Sequence, residues 1–273
     1  MNDVADTPAM TTVALPGADA PLPLPRLLHA YMLHARFELL GALRTPGFAL
    51  PFISVPVLVY LLFGVLISGD ADGGELGAGL PNYLFAGFAT MAVAMPGIFS
   101  GVILAQEREA NLLRLRRAMP LPPGASIVAK VAMATAVAAI AVALVAAAAL
   151  LAGRITLSPA QVGVMCGVLV IGTVPFAAMG LLIGALSSAS ASPAWGNLVF
   201  LPMMWLSGLF MPLPDVLRPW VVLWPTFHLD QLALGLAGVA EFTWIPPSVA
   251  AAALAGVTVL CGGLAIRRLA RVG

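Results

Sequence analysis

Apolar residues run in long uninterrupted stretches, and the polar and charged residues gather in short segments between them. A helical membrane crossing needs roughly 20 apolar residues. Six stretches meet or approach that length: about Gly47 to Ser68, Tyr83 to Ala105, Ile127 to Ala152, Val162 to Leu186, Ala194 to Phe210 and Pro247 to Ile266. None alternates polar and apolar residues as barrel strands do, so helices are predicted, each satisfying its own backbone groups in hydrocarbon. Residues 26–45 read differently. Leu27, Leu28, Tyr31, Met32, Ala35, Leu39 and Leu40 recur three and four apart, while Arg26, His29, Arg36 and Glu38 interrupt them, the pattern of an amphipathic helix lying on a membrane surface. Residues 211–245 mix Pro, Trp, apolar and polar residues, too broken for one crossing and too apolar for a free loop. Short re-entrant or interfacial helices are expected there, with Trp220, Trp224 and Trp244 near the headgroups. The expected fold is an all-α integral membrane protein: six transmembrane helices, an N-terminal amphipathic surface helix, and re-entrant or interfacial helices before the last span.

Composition agrees with lipid as the solvent, since 61% of the 273 residues are hydrophobic, 9% are charged, and the mean hydropathy is +1.01. A net charge of +1, without a basic face or a recognition motif, gives no reason to expect nucleic acid. Residues 1–25 hold three Asp, several Pro and no basic residue. They lack the charged start and apolar run of a signal peptide and are expected to form a disordered cytoplasmic tail, followed by a single transmembrane domain over 26–273. With the N-terminus inside, eleven Lys and Arg fall in inside segments and only Arg154 and Arg218 outside. That asymmetry predicts a multi-pass protein with both termini cytoplasmic.

The exception to the sparse charge is residues 106–124, where Glu107, Arg108, Glu109, Arg114, Arg116 and Arg117 crowd into one predicted cytoplasmic loop. On a helix, Glu107, Arg114 and Arg117 fall near one face. Leu112, Leu113 and Leu115 supply apolar contacts before Pro120, Pro122 and Pro123 end the helix. One reading is a positive-inside anchor. Two acids and an interleaved apolar ridge favour the other, a helix that docks a soluble partner.

These residues resemble the type-2 permeases of ATP-binding-cassette (ABC) exporters, a family that includes drug, polyketide and polysaccharide exporters. Glu107-Arg108-Glu109 and Arg116-Arg117-Ala118-Met119-Pro120-Leu121 are similar to the family's loop after the second span, although Asn111-Leu112-Leu113 stands where Gly-Thr-Leu is usual. Ser207 to Pro212 and Pro225 to Asp230 resemble its re-entrant region, and Arg44-Thr45-Pro46 its lead-in to the first span. The resemblance implies residence in the cytoplasmic (inner) membrane, a permease homodimer, and two ATPase subunits that bind ATP and Mg. It implies that the six charged loop residues couple to those ATPases, and that substrate moves outward between the two permease copies. The chain's only lysine, Lys130, is followed by Val131, so this polypeptide is not expected to be its own ATPase of the Gly-rich Lys-Ser/Thr kind, and ATP-driven transport would need a separate nucleotide-binding subunit.

Other polar residues are open to two readings. Asn197 and Ser207, with Thr173, Ser100 and Asn82, either face a substrate path or bond between helices. Asp215, Arg218, His228 and Asp230 form either an outer gate or a headgroup-level anchor. Gly97/Gly101, Gly163/Gly167 and Gly180/Gly184 permit close helix packing, and Cys166 and Cys261 are expected as apolar fillers, with no catalytic, cofactor or metal site in the chain. An intramembrane enzyme would need clustered nucleophiles or His and acidic ligands at depth, and an ion-coupled carrier a buried ionisable relay, and no charge is expected clearly within a span. A membrane-anchored assembly scaffold would leave the re-entrant segment unexplained. A substrate path lined by Ala, Val, Leu, Phe and Met suits hydrophobic or amphipathic cargo such as drugs, lipids or glycolipid-like molecules.

Overall fold

The computed structural model describes residues 23–67, 79–113, 115, 124–153, 155–211 and 216–272. The expected tail lies outside these residues, apart from Pro23 to Pro25. Helix α1 covers Leu24–Leu43, opened by prolines that need no helical partner for a missing N–H. The N-cap Thr45 leads into α2, Pro46–Tyr60, which continues as a π-helical turn, Leu61–Ile67, into one apolar rod. Helix α3 spans Leu80–Glu109, and α4, Ala125–Leu151, starts at Gly124, whose φ of 79° favours a residue without a side chain. Helix α5, Pro159–Ile171, is opened by a capping box in which Ser158 and Gln161 exchange side-chain and backbone hydrogen bonds. Then come α6, Thr173–Leu186, α7, Ser192–Leu206, the single turn α8, Arg218–Val221, α9, Pro225–Leu236, a 3-10 turn at Ala240–Phe242, and α10, Pro247–Val272.

Among the described residues, five helical segments are long and apolar enough to cross a membrane: Pro46–Ile67, Leu80–Glu109, Ala125–Leu151, Pro159–Leu186 and Pro247–Arg271. The protein is an all-α integral membrane protein. Two departures from the expected spans have local causes. The fourth is broken at Gly172, because Pro175 has no N–H to offer the Ile171 carbonyl. The buried Leu229 of α9 fills the break so tightly that a Cβ on Gly172 would stand 2.2 Å from its methyl. The segment expected as the fifth span forms only the 15 residues of α7. That is about 22 Å of helix against a hydrocarbon core of about 30 Å. The chain then turns through Ser207 and Gly208, the latter at φ 71°.

Helix α3 is the axis of the bundle and packs most extensively against α6. The crossing is possible because glycine meets glycine: a Cβ on Gly101 would stand 1.8 Å from the Gly180 carbonyl oxygen, and one on Gly184 would stand 2.2 Å from that of Gly101. Gly163 and Gly167 have nothing within 4 Å of a Cβ position, so that pair does no packing of this kind. Phe85, Ala89, Ala92 and Val93 of α3 are wholly buried against α4, α5 and α9, whereas α2, α7 and α10 keep outward apolar faces that include Leu58, Trp205 and Leu260.

Candidate functional sites at the two ends of the central helix

The last turn of α3 carries Glu107, Arg108 and Glu109, and each grips a different element. Glu107 is buried, and its Oε2 lies 2.8 Å from the Nζ of Lys130 on α4. Lys130 is itself wholly buried and also stands 3.3 Å from Oε2 of Glu38 on α1. His34, one turn earlier on α1, comes within 3.9 Å of Glu38 Oε1. This corrects the expectation that the spans carry no clear internal charge: Lys130 lies six residues into a candidate span. It also corrects the reading of Glu38 as an interruption on the polar side of α1. Leu27, Tyr31, Ala35 and Leu39 do lie toward the packed side, but His34 and Glu38 share it, and Leu28, Met32 and Phe37 point outward.

Arg108 reaches the other way. Its guanidinium donates to the carbonyls of Gly184 (3.0 Å), Ala185 (2.5 Å) and Ser187 (2.5 Å), the acceptors that the end of α6 leaves without helical partners. Glu109 accepts a 2.8 Å hydrogen bond from the backbone N–H of Ala189, in the turn before α7. The end of α3 is thus tied to α1, α4, α6 and the lead-in to α7. Of the residues predicted to meet a partner, Glu107 is turned inward, Arg108 is part-buried and Glu109 exposed. Arg114, Arg116 and Arg117 lie outside the described residues. A cavity of about 660 Å³ opens beside this junction between α1, α2 and α3, lined by Glu38 and Glu107 together with Phe48, Phe52 and Phe99.

About 25 residues back along α3, the opposite end of the helix holds the second polar group. Asn82 donates to Thr156 Oγ1 (2.7 Å) and accepts from its backbone N–H (3.1 Å), a paired bond between segments. Ser207 and Thr226 both donate to the Met203 carbonyl, tying the end of α7 to the start of α9. Ser100 and Thr173 instead bond carbonyls within their own helical neighbourhoods, Gly97 and Val170. Asn197 is exposed on α7.

The residues expected at an outer gate are partly brought together. Arg218 and Asp230 line one cavity of about 260 Å³, and the Arg218 guanidinium stands over the Trp244 ring at 5.3 Å. His228 is turned elsewhere, its Nε2 2.8 Å from the Val222 carbonyl, and Asp215 lies outside the described residues. Asp230, 3% exposed on α9, leaves Oδ1 without a hydrogen-bond partner, and burial raises its carboxyl from 3.8 to about 8. Gln231 next to it uses both ends of its amide, donating to the Phe242 carbonyl (3.0 Å) and accepting from the Trp244 N–H (2.6 Å). That clamp holds the 3-10 turn and Trp244 over the cavity. No group of three or more His, Cys, Asp or Glu among the described residues is placed to hold a metal.

A family model described as ABC-2 type transporter matches residues 30–239, from the second turn of α1 to the residues after α9. Among curated proteins, none matches the chain.

Proposed function

The chain belongs to the ABC-2 type transporter family and is a membrane permease of that class; from this premise, we propose that it exports a hydrophobic or amphipathic substrate, driven by separate ATPase subunits. Permeases of this family work with an ATPase subunit, and the lack of a phosphate-cradling loop in this chain supports the same division of labour. In the arrangement we propose, two permease copies and two ATPases, each holding ATP and Mg, form the working unit in the inner membrane. The excess of Lys and Arg around the charged loop supports a cytoplasmic position for it, with α1 along the same membrane surface.

The observation that carries the proposal is the junction at the end of α3. The charged stretch begins in the last turn of α3, which is clamped to α1 and α4 through Lys130, to α6 through Arg108 and to the lead-in of α7 through Glu109. An ATPase pushing on that loop moves four elements together, and the glycine-to-glycine crossing of α3 and α6 keeps them in register. Arg114, Arg116 and Arg117 are the docking charges in this scheme, and Glu107, Arg108 and Glu109 pass the displacement inward. Arg218 and Asp230 belong to the outer gate at the other end. An ion-coupled relay is favoured less, because Lys130 and its carboxylates sit at the end of the bundle rather than at mid-span.

The test is proximity in the assembled complex. A cysteine placed at Leu115, with Cys166 and Cys261 replaced by Ala, is expected to cross-link to the ATPase subunit. A cysteine placed at Leu260, on the outward face of α10, is expected not to; equal labelling at both positions contradicts the docking assignment.

A further inference from the structure

The cavity at the other end of α3, where Arg218 and Asp230 are proposed as an outer gate, holds further groups whose chemistry a gate alone does not use. Its floor is the carboxyl of Asp230, nine-tenths or more buried, with Oδ1 unpartnered. Leaving such an acceptor unmet in the interior is costly, and a ligand able to meet it relieves that cost. The walls are aromatic: Tyr83 from α3, Phe227 from α9 and Trp244 from the strand of chain after the 3-10 turn. The rim carries a second carboxylate, Glu241, which is exposed. The Arg218 guanidinium, the cationic lining residue, is stacked over Trp244. The Gln231 clamp fixes the position of Trp244 before any ligand arrives.

A buried carboxylate beneath aromatic faces is a receptor for an organic cation, since the ring faces and the carboxylate both attract positive charge while the rings exclude water. Two carboxylates are too few to cage a metal ion among the described residues. The volume, about 260 Å³, is below the roughly 300 Å³ at which drug-sized pockets begin, so a headgroup fits and a polycyclic molecule does not. We propose that this cavity binds an alkylammonium group, with Asp230 as its counter-ion and Tyr83 and Trp244 as its aromatic walls. The ammonium belongs either to a lipid headgroup or to a soluble amine. The site is independent of ATP and of the docking assignment.

Binding has a proton linkage. The groups that face Asp230 are Tyr83 from α3, Arg218 from α8, Glu241 from the 3-10 turn and Gln231 from its own helix, whereas His228 is turned to Val222. Empty, the buried carboxyl keeps its proton up to about pH 8. An ammonium ion stabilises the carboxylate, and the proton leaves to solvent. Affinity therefore rises with pH by up to about tenfold per unit until about pH 8, and levels off above it.

The test uses the full chain in nanodiscs of phosphatidylglycerol, with choline as the non-titrating probe and its uncharged isostere neohexanol as the control, read by calorimetry. Saturable choline binding is expected without neohexanol binding. It should weaken at least about tenfold in Asp230→Asn, a few-fold in Glu241→Gln, and strengthen from about pH 6.5 to about pH 7.5. Adding phosphatidylethanolamine assigns the source: competition with choline identifies a lipid headgroup, and undiminished binding a soluble amine. The proposal is overturned if wild type does not bind choline, if neohexanol binds equally, or if folded Asp230→Asn binds as wild type does. Should Asp230→Asn fail to fold, a flat pH profile together with unchanged binding by Glu241→Gln overturns it.

Discussion

Lys130 and Glu107 form a buried ion pair of 2.8 Å between α4 and the last turn of α3, with Glu38 of α1 as the lysine's second carboxylate. A charge wholly out of water is tolerated when well paired, and removing one partner leaves the others exposed to that cost. Lys130→Met is therefore expected to destabilise the protein by about 3 to 5 kcal/mol. Replacing Lys130, Glu38 and Glu107 together by Met, Gln and Gln should recover much of the loss. Thermal unfolding in detergent checks both, and a triple variant no better than the single one contradicts the assignment.

Arg108 holds three carbonyls at the end of α6 with one planar group. Arg108→Ala should lose at least one charge-assisted hydrogen bond, about 1.5 to 3 kcal/mol. Arg108→Lys should restore only part of that, because an ammonium lacks the fork that spans these acceptors. Hydrogen exchange at the end of α6 should rise in both, more in the alanine variant. Unchanged exchange would mean that the contact does not hold the helix end.

The glycine crossing gives a paired prediction. Gly101→Ala puts a methyl against the Gly180 carbonyl, 1.8 Å away before any adjustment, and should cost at least about 1 to 3 kcal/mol. Gly167→Ala meets nothing within 4 Å and should be neutral or stabilising by up to about 1 kcal/mol. Comparable loss in both variants would contradict the packing of α3 on α6.

Asp230 sets a pH dependence with a definite sign. Its folded carboxyl is raised from 3.8 to about 8, so its contribution to stability is present below about pH 4 and is lost as pH rises to about 8. Asp230→Asn cannot ionise, so its melting temperature relative to wild type should climb through that window. A constant difference between about pH 5 and about pH 9 would contradict the burial of this carboxyl.

The division between what the sequence foretold and what it concealed is physical. Length and continuity of apolar runs mark helices in lipid strongly, so α2, α3, α4 and α10 lie close to their expected limits. The break at Gly172 was readable from Pro175, three residues on, but the Leu229 that fills it comes from a remote helix. The charged stretch stood out by composition alone, whereas the direction each side chain takes did not. Glu107 turns inward because Lys130 awaits it on α4, a pairing across 23 residues of chain that periodicity within one helix cannot reveal. A single lysine near the start of an Ala-rich span, and a carboxylate among the inward residues of α1, were the available signals. At the other end, Arg218 and Asp230 were singled out and do share a cavity; Trp244 was expected only at headgroup level, and Tyr83, Gln231 and Glu241, which also line it, carry no local pattern.

The most direct measurement is co-purification of the permease with its ATPase subunit from membranes, together with ATP hydrolysis by the complex. Wild type is compared with Arg114→Glu, Arg117→Glu and Glu107→Gln. The account predicts stable association in wild type, loss of association in the two charge reversals, and retained association with altered hydrolysis in Glu107→Gln, whose side chain faces Lys130. Absence of any associated ATPase, or reversals that leave both association and hydrolysis unchanged in folded protein, would contradict it.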